Sequence, residues 1–150
     1  MDHANRELEF NYIDDGIYIG NNQCCQTHFD KRLKSEGISA DISLEKDRVD
    51  EPRGVDFYLW IPVVNLTAPT QDQLDLGVVN LEALIASGKK VYVHCKNGHG
   101  RAPTLVAAYF IKKGMTAEEA IEFIKKRRPA IHLEESQAAA LKEFEKRMPR

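Results

Sequence analysis

A thiol and a guanidinium six positions apart, Cys95 and Arg101, are the residues of this sequence whose types and spacing suggest chemistry. Between them, Gly98 and Gly100 let the backbone curl so that successive N–H groups point inward. Such a nest beside a helix N-terminus binds a tetrahedral dianion. The same dipoles favour the thiolate form of Cys95, and the planar fork of Arg101 can clamp two phosphate oxygens. The segment therefore predicts a phosphoryl-binding loop with a sulfur nucleophile.

The flanking sequence places this loop between a strand and a helix. Lys90–His94 is rich in β-branched residues and predicts a strand. Arg101–Lys113 predicts an apolar helix that is closed by Gly114. Open α/β sheets place their ligands at the carboxyl ends of strands, where this loop lies. His94 lies under the loop in this arrangement, and its ring can fix loop carbonyls and amides.

The rest of the chain alternates between strand and helix patterns. Asp14-Asp15-Gly16 predicts a hairpin turn between two strands, and Arg48–Gly54 predicts an exposed loop. The other strands and helices are predicted at Leu8–Ile13, Ile17–Gly20, Thr27–Ser35, Ile38–Leu44, Phe57–Ile61, Thr70 to about Ala86, Thr116 to Pro129, and Glu134–Arg147. This alternation predicts a single α/β domain over residues 1–150. Its central, mostly parallel twisted sheet has about four to five strands, with helices on both faces.

The composition excludes several classes of protein. The chain has 150 residues and a formal net charge of −2, which argues against general nucleic-acid binding. Its longest apolar stretch, Ala102–Ile111, is far shorter than the roughly 20 residues that cross a bilayer. The first residues show no signal-peptide pattern. The basic run Lys125–Arg128 is interpreted as a solvated helix end. We expect a monomeric protein with no membrane span and no nucleic-acid partner.

Cysteine and histidine placement argues against structural disulfides and metals. The three cysteines cannot form a disulfide framework, and Cys24 and Cys25 are adjacent. This favours a reducing, cytoplasmic compartment and leaves Cys95 as a free thiol. Cys24 and Cys25 are either two small buried side chains or partners that protect Cys95 under oxidation. His132 and the histidines near the N-terminus are scattered, so no metal or other cofactor is expected.

At this point a family resemblance is plain. The stretch HCKNGHGRAPTLVAAYFI resembles the HCxxGxxR signature of the cysteine-dependent protein tyrosine phosphatase superfamily. The short chain and the late position of the loop are similar to the small atypical dual-specificity phosphatases. Three weaker matches resemble the family's early strand, the lead-in to its general-acid loop and its glutamine loop: Ile17–Gly20, Trp60-Ile61-Pro62, and Arg128-Pro129 followed by Gln137.

The resemblance implies a two-step phosphatase mechanism without a metal. The Cys95 thiolate attacks phosphorus and forms a phosphocysteine, while Arg101 and the loop amides stabilise the equatorial oxygens. A general acid protonates the leaving alcohol, and water then hydrolyses the intermediate. The substrate-binding residues implied are His94, Lys96, Asn97, Gly98, His99, Gly100, Arg101 and Gln137.

Two departures from the family pattern predict slow turnover. Asn65 occupies the expected general-acid position, and an amide cannot donate the catalytic proton. Asp72, Glu134 and Glu135 are alternative acids, although each also fits a first-turn helix acid that the helix dipole favours. Ala102 follows the arginine where the family usually has Ser or Thr, whose hydroxyl helps the thiolate leave. We therefore expect a slow second step with phosphate binding intact.

The sequence leaves three functions open. The first is hydrolysis of phosphotyrosine, phosphoserine and phosphothreonine in proteins, because the short chain lacks tyrosine-selecting insertions and predicts a shallow pocket. The second is hydrolysis of a polyphosphorylated small molecule or inositol lipid, since Lys96 and His99 add positive charge to the loop. The third is a phosphate-binding pseudophosphatase that turns over poorly because of Asn65 and Ala102.

Overall fold

A five-stranded sheet lies at the centre of the computed structural model, which describes residues 7–22 and 29–149. The strand order is β1-β2-β5-β3-β4, with β1 antiparallel to β2 and every other neighbouring pair parallel. This confirms the predicted mostly parallel α/β sheet. The strands are β1 (Phe10–Asp14), β2 (Ile17–Gly20), β3 (Ile38–Glu45), β4 (Phe57–Val63) and β5 (Lys90–His94).

The predicted hairpin joins β1 to β2. Asp15 and Gly16 both have positive φ, 54° and 81°. Two central residues with φ above zero give a turn whose twist matches that of antiparallel strands. Gly adopts this backbone at no steric cost, and Asp tolerates it better than most residues.

Helices cover both faces of the sheet, as predicted. Leu33 of α1 packs with Tyr18 and Tyr92 on one face, and the other helices bury a larger apolar core on the opposite face. The helices are α1 (Lys31–Ser35), α2 (Gln71–Ala86), α3 (Arg101–Lys112), α4 (Ala117–Arg127) and α5 (Glu135–Arg147). Among the helices of the described residues, none is long and apolar enough to cross a membrane.

Local capping signals fix where two of these helices begin. Thr70 Oγ1 accepts from the Gln73 N–H at 3.1 Å, and Gln73 Oε1 accepts from the Thr70 N–H at 2.9 Å. Thr116 and Glu119 form the same reciprocal pair at the start of α4. These bonds satisfy N–H groups that the first turn leaves unpaired.

Two predictions about the first half of the chain need correction. Helix α1 begins at Lys31, because the Asp30 side chain caps it; the predicted start at Thr27 lies outside the described residues. The segment Arg48–Gly54 is not wholly exposed. Asp50 is 8% exposed, because Arg48 Nε donates to its carboxylate at 2.8 Å and its own N–H donates to the Tyr58 hydroxyl at 3.2 Å.

The central position of α3 predicts how stability responds to truncation. Leu105 is fully buried, whereas Leu76 of α2 is 65% exposed. We expect Leu105→Ala to lower the free energy of unfolding by about 2–5 kcal/mol, since it removes buried methyl groups and leaves a cavity. The matched control Leu76→Ala changes it by less than about 0.5 kcal/mol. Urea denaturation followed by circular dichroism measures both; equal losses would contradict the assigned core.

Candidate active site

The predicted loop runs from the carboxyl end of β5 to the first turn of α3 and forms one wall of a small pocket. The cavity has a volume of about 130 Å³. Cys95 is buried (2% exposed), and so is Arg101 (3% exposed). The residues that line the pocket are Asn65, Leu66, Cys95, Asn97, His99, Gly100, Arg101, His132, Glu134 and Gln137.

Arg128 holds two of the loop carbonyls from outside the pocket. Its Nε donates to the Gly98 carbonyl at 2.9 Å and its Nη2 to the Asn97 carbonyl at 3.0 Å. The rest of the guanidinium is held by Asn11 Oδ1 at 2.7 Å and Glu9 Oε1 at 3.2 Å. Arg128 is fully buried. The interpretation of this residue as part of a solvated helix end is therefore wrong.

Three further loop carbonyls, those of Lys96, His99 and Gly100, also have donors. In a trans peptide the N–H points away from the carbonyl of the same unit. Carbonyls held on the outside of the loop therefore turn the following N–H groups toward its concave side, where they can bind an anion. The donors are the Asn22 N–H to Lys96 at 3.2 Å, the His132 N–H to His99 at 2.7 Å, and the Thr104 N–H and hydroxyl to Gly100 at 2.9 and 2.7 Å.

The two loop glycines are required for close approach. Gly98 has φ of +72°, and a Cβ there would lie 2.5 Å from the Gly20 carbonyl oxygen. A Cβ on Gly100 would lie 2.8 Å from Gln137 Oε1. A side chain at Gly98 would therefore push the loop away from the strand beside it.

Two polar side chains tie the β4–α2 loop to the pocket. Arg101 Nη1 donates to the Val63 carbonyl at 2.8 Å. Gln137 Nε2 donates to the Thr67 carbonyl at 3.0 Å, and its Oε1 accepts from the Glu134 N–H at 2.8 Å. Gln137 was predicted to bind substrate. It lines the pocket, but both ends of its amide make these structural bonds.

The four predicted acid positions separate into two groups. Asn65 and Glu134 line the pocket. Asp72 does not: it is exposed in the first turn of α2, where the helix dipole accounts for it. Glu135 is likewise exposed in the first turn of α5 and does not line the pocket. Ala102 is fully buried within α3, so no hydroxyl is present at this position beside the loop.

His94 contacts a polar cluster and not the loop carbonyls. Its Nδ1 lies 3.1 Å from Asn22 Oδ1, and its Nε2 lies 2.7 Å from Asp41 Oδ1 and 3.8 Å from Asp50 Oδ2. Burial alone would lower the pKa of His94. The negative charges of Asp41 and Asp50 outweigh that effect, so the pKa is raised above its ordinary value.

This cluster brings together ligand atoms that sequence spacing could not show. Asp41, Asp50 and His94 offer two oxygens and a nitrogen within 4.8 Å of one another. Arg48 pairs with Asp50 at 2.8 Å, and the His94 imidazole pairs with Asp41. We therefore treat the arrangement as an ion network and not as a metal centre.

Sequence reasoning missed two residues of the pocket rim. His132 lines the pocket although its position in the sequence had no obvious partner. Leu66 also lines it, is 63% exposed and has φ of +68°. A left-handed backbone is uncommon for a leucine and costs energy, which is frequently seen beside functional sites. Cys24 and Cys25 lie outside the described residues.

The site combines a thiol and a guanidinium on an amide-lined loop that connects a strand to a helix. This is the site of a cysteine-based phosphatase. The family model of the dual specificity phosphatase catalytic domain matches residues 17–147. The chain belongs to this family.

Proteins similar to this chain include enzymes named for a lipid phosphate. Human phosphatidylglycerophosphatase and protein-tyrosine phosphatase 1 is 41% identical over 92 residues, 60% of this chain and 46% of that protein. Arabidopsis thaliana phosphatidylglycerophosphate phosphatase PTPMT2 is 34% identical over 125 residues, 75% of this chain and 53% of that protein. The chain thus spans about half the length of these relatives.

A solved structure agrees over a longer range. The crystal structure of PTPMT1 in complex with PI(5)P matches with a TM-score of 0.75 and 30% sequence identity. The match covers 91% of this chain and 94% of that chain.

Arg128 generates a prediction about anion binding. We expect Arg128→Lys to weaken tungstate binding at least about tenfold, or ~1.4 kcal/mol, because a lysine cannot hold two carbonyls with one planar fork. Arg127→Lys is the matched control, since Arg127 is an exposed neighbour that stacks on Phe123. Isothermal titration calorimetry measures both affinities. Unchanged affinity in Arg128→Lys would show that the carbonyls do not need this residue.

Proposed function

We propose that this protein hydrolyses the phosphate monoester of a glycerophospholipid headgroup through a phosphocysteine on Cys95. The observation that supports this chemistry is that the loop carbonyls accept hydrogen bonds from donors on its outer side. The loop N–H groups then remain available to bind an anion beside the Cys95 thiol. The lipid substrate is supported by the relatives named for phosphatidylglycerophosphate and by the similarity to a phosphatase crystallised with PI(5)P.

In this proposal the thiolate of Cys95 attacks phosphorus in line with the leaving oxygen. The loop amides and the free nitrogens of Arg101 hold the equatorial oxygens, where charge develops in the transition state. Asn97, Gly98, His99 and Gly100 supply the backbone of this cradle. Water then attacks the phosphocysteine and releases phosphate.

The pocket rim fits a substrate with an apolar part. Leu66 lines the pocket, and Val64 on the same loop is 49% exposed. These side chains can contact acyl or glycerol groups while the phosphate enters the loop, and Lys96 adds positive charge for an anionic lipid. A phosphoprotein substrate, the first of the three functions that the sequence leaves open, receives less support from the relatives than the lipid alternative.

The proton for the leaving group needs a donor other than Asn65. Apart from Cys95 and Arg101, the described residues that line the pocket with a side chain able to donate a proton to the leaving group are His99, His132 and Glu134. Glu134 was among the predicted substitutes and keeps that place.

A substrate panel tests the lipid proposal. Phosphate release is measured from phosphatidylglycerophosphate in mixed micelles, PI(5)P, a phosphotyrosine peptide and a phosphoserine peptide. We expect kcat/KM for the lipids to exceed that for the peptides at least about tenfold, or ~1.4 kcal/mol of transition-state binding. Cys95→Ser should abolish every reaction, because the sulfur is the nucleophile.

The other outcomes of this panel discriminate among the alternatives. Faster peptide hydrolysis would return the assignment to a protein phosphatase. A stoichiometric burst of phosphate-ester cleavage without further turnover, on every substrate, would favour the pseudophosphatase, for which Asn65 and Ala102 are the specific observations. Phosphate release by Cys95→Ser would overturn the mechanism itself.

The acid position gives a separate prediction. If Asn65 stands where the acid belongs, Asn65→Asp should speed hydrolysis of poor alkyl leaving groups. A well-positioned acid contributes roughly 10²–10⁴-fold. The aryl oxide of an aryl phosphate leaves without protonation, so the rate of aryl phosphate hydrolysis should hardly change. The measured quantity is the ratio of the two rates across pH, with a new descending limb expected at higher pH in the variant.

Three further variants form the controls for this ratio. If Glu134 or a histidine already protonates the leaving group, Asn65→Asp changes nothing. In that case Glu134→Gln, His132→Asn or His99→Asn lowers the alkyl rate selectively. A constant ratio in all four variants would mean that no side chain of the pocket acts as the acid.

A further inference from the structure

Five polar side chains form a buried cluster beside the start of the phosphoryl-binding loop, on the α1 side of the sheet. Their exposed fractions are 3% for Asn22, 1% for Asp41, 7% for Glu45, 8% for Asp50 and 0% for His94. Buried charged groups are costly unless they are paired. The catalytic proposal above uses none of their side chains, so their pairing needs its own explanation.

The polar contacts around His94 favour a doubly protonated ring. Asn22 Nδ2 donates to Glu45 Oε2, so the amide oxygen of Asn22 is the atom that faces His94 Nδ1 at 3.1 Å. This orientation of the amide favours a proton on Nδ1. Nε2 faces the Asp41 carboxylate at 2.7 Å. Both ring nitrogens therefore face acceptor oxygens, and this arrangement favours the cationic form of the imidazole.

The Asp41 contact is an ion pair more than a linear hydrogen bond. Within the described part of the chain, the two Asp41 carboxylate oxygens and His94 Nε2 have no partner with good hydrogen-bond angles, although the two side chains lie 2.7 Å apart. A carboxylate with no other partner, in a site closed to water, gains its compensation from the charge of His94. Asp41 is therefore the residue that most directly requires the proton on the ring.

The groups around His94 carry both signs of charge. Negative carboxylates outnumber the single guanidinium, which favours the cationic ring, and its raised pKa agrees with this. Tyr92 stacks on the imidazole with ring centroids 5.1 Å apart. Asp41 from β3, and Arg48 and Asp50 from the next loop, act directly on the charge of the ring. The neighbouring titratable groups are Glu45 from β3, which contacts Asn22, Tyr58 from β4 and Tyr92 from β5, which both interact with Asp41, and Cys95, which follows His94 in the chain.

Asn22 transmits this arrangement to the loop. Its side chain is held between Glu45 and His94, and its backbone N–H donates to the Lys96 carbonyl at 3.2 Å. We propose that Asp41 is a positioning residue: it keeps His94 doubly protonated, and the fixed cation holds Asn22 and the first turn of the loop in the geometry that binds phosphate. Asp41 touches no substrate and acts only through His94.

The pH dependence of anion binding tests this role. Because the fold raises the pKa of His94, the ring loses its second proton only as the pH rises through that raised pKa. Without Asp41, His94 should lose its proton near or below pH 6.5, the ordinary histidine value. In Asp41→Asn we expect tungstate affinity to be about tenfold weaker than in the parent at pH 7.5, and within about threefold at pH 5.5.

Calorimetric titration with tungstate from pH 5.5 to 8.5 measures these profiles. The matched control is Asp56→Asn, since Asp56 is an exposed carboxylate paired with Lys89, and its profile should follow the parent. A role limited to stability would weaken Asp41→Asn by one factor at every pH. Parallel profiles for parent and Asp41→Asn would therefore overturn the proposal.

A second measurement uses the unaltered protein and so does not depend on how the variant folds. Nitrogen-15 NMR of labelled histidine should show protons on both ring nitrogens of His94 at pH 7.5. A neutral ring with one protonated nitrogen would overturn the proposal, and so would a zinc ion bound at Nε2 that a chelator removes. Neither experiment requires turnover. Both can therefore support or overturn the role of Asp41 even if the protein does not hydrolyse a lipid phosphate.

Discussion

This structure depends on one constraint: the carbonyls of residues 96–100 must accept hydrogen bonds from donors on the outer side of the loop. A loop whose amides converge on an anion must turn its carbonyls the other way, where a buried carbonyl without a donor is costly. Arg128 supplies two of the donors, and Asn22, His132 and Thr104 supply the rest. The amide nest exists because this outer ring of donors is complete.

These donors explain why a short loop needs most of the fold around it. Thr104 is on the helix that the loop starts, whereas Arg128 ends α4, His132 precedes α5 and Asn22 follows β2. Each element must arrive at the same edge of the sheet for the loop to close. The contact at Gly98 adds a steric condition, because the backbone after β2 leaves no space for a Cβ.

The sequence predicts the parts of this arrangement that are local. Cys95 and Arg101 are set by a six-residue spacing between a strand and a helix, and the Thr70 and Thr116 capping boxes need only three residues each. Arg128 and Asp50 could not be predicted in the same way, because their partners are distant in the chain. Their charges indicated solvated segments. Burial beside a compensating carbonyl or imidazole depends on tertiary contacts that no local pattern contains.

Binding and turnover are separable in the proposed mechanism, because it assigns them to different residues. The donors that shape the loop make no contact that needs Asn65 or Ala102. An amide at the acid position leaves the Arg101 bond to Val63 unaffected, since that bond uses a backbone carbonyl. A methyl in place of a hydroxyl at Ala102 packs within the buried face of α3. The loop can therefore keep its anion affinity while proton transfer and thiolate release are lost or reassigned to other pocket residues.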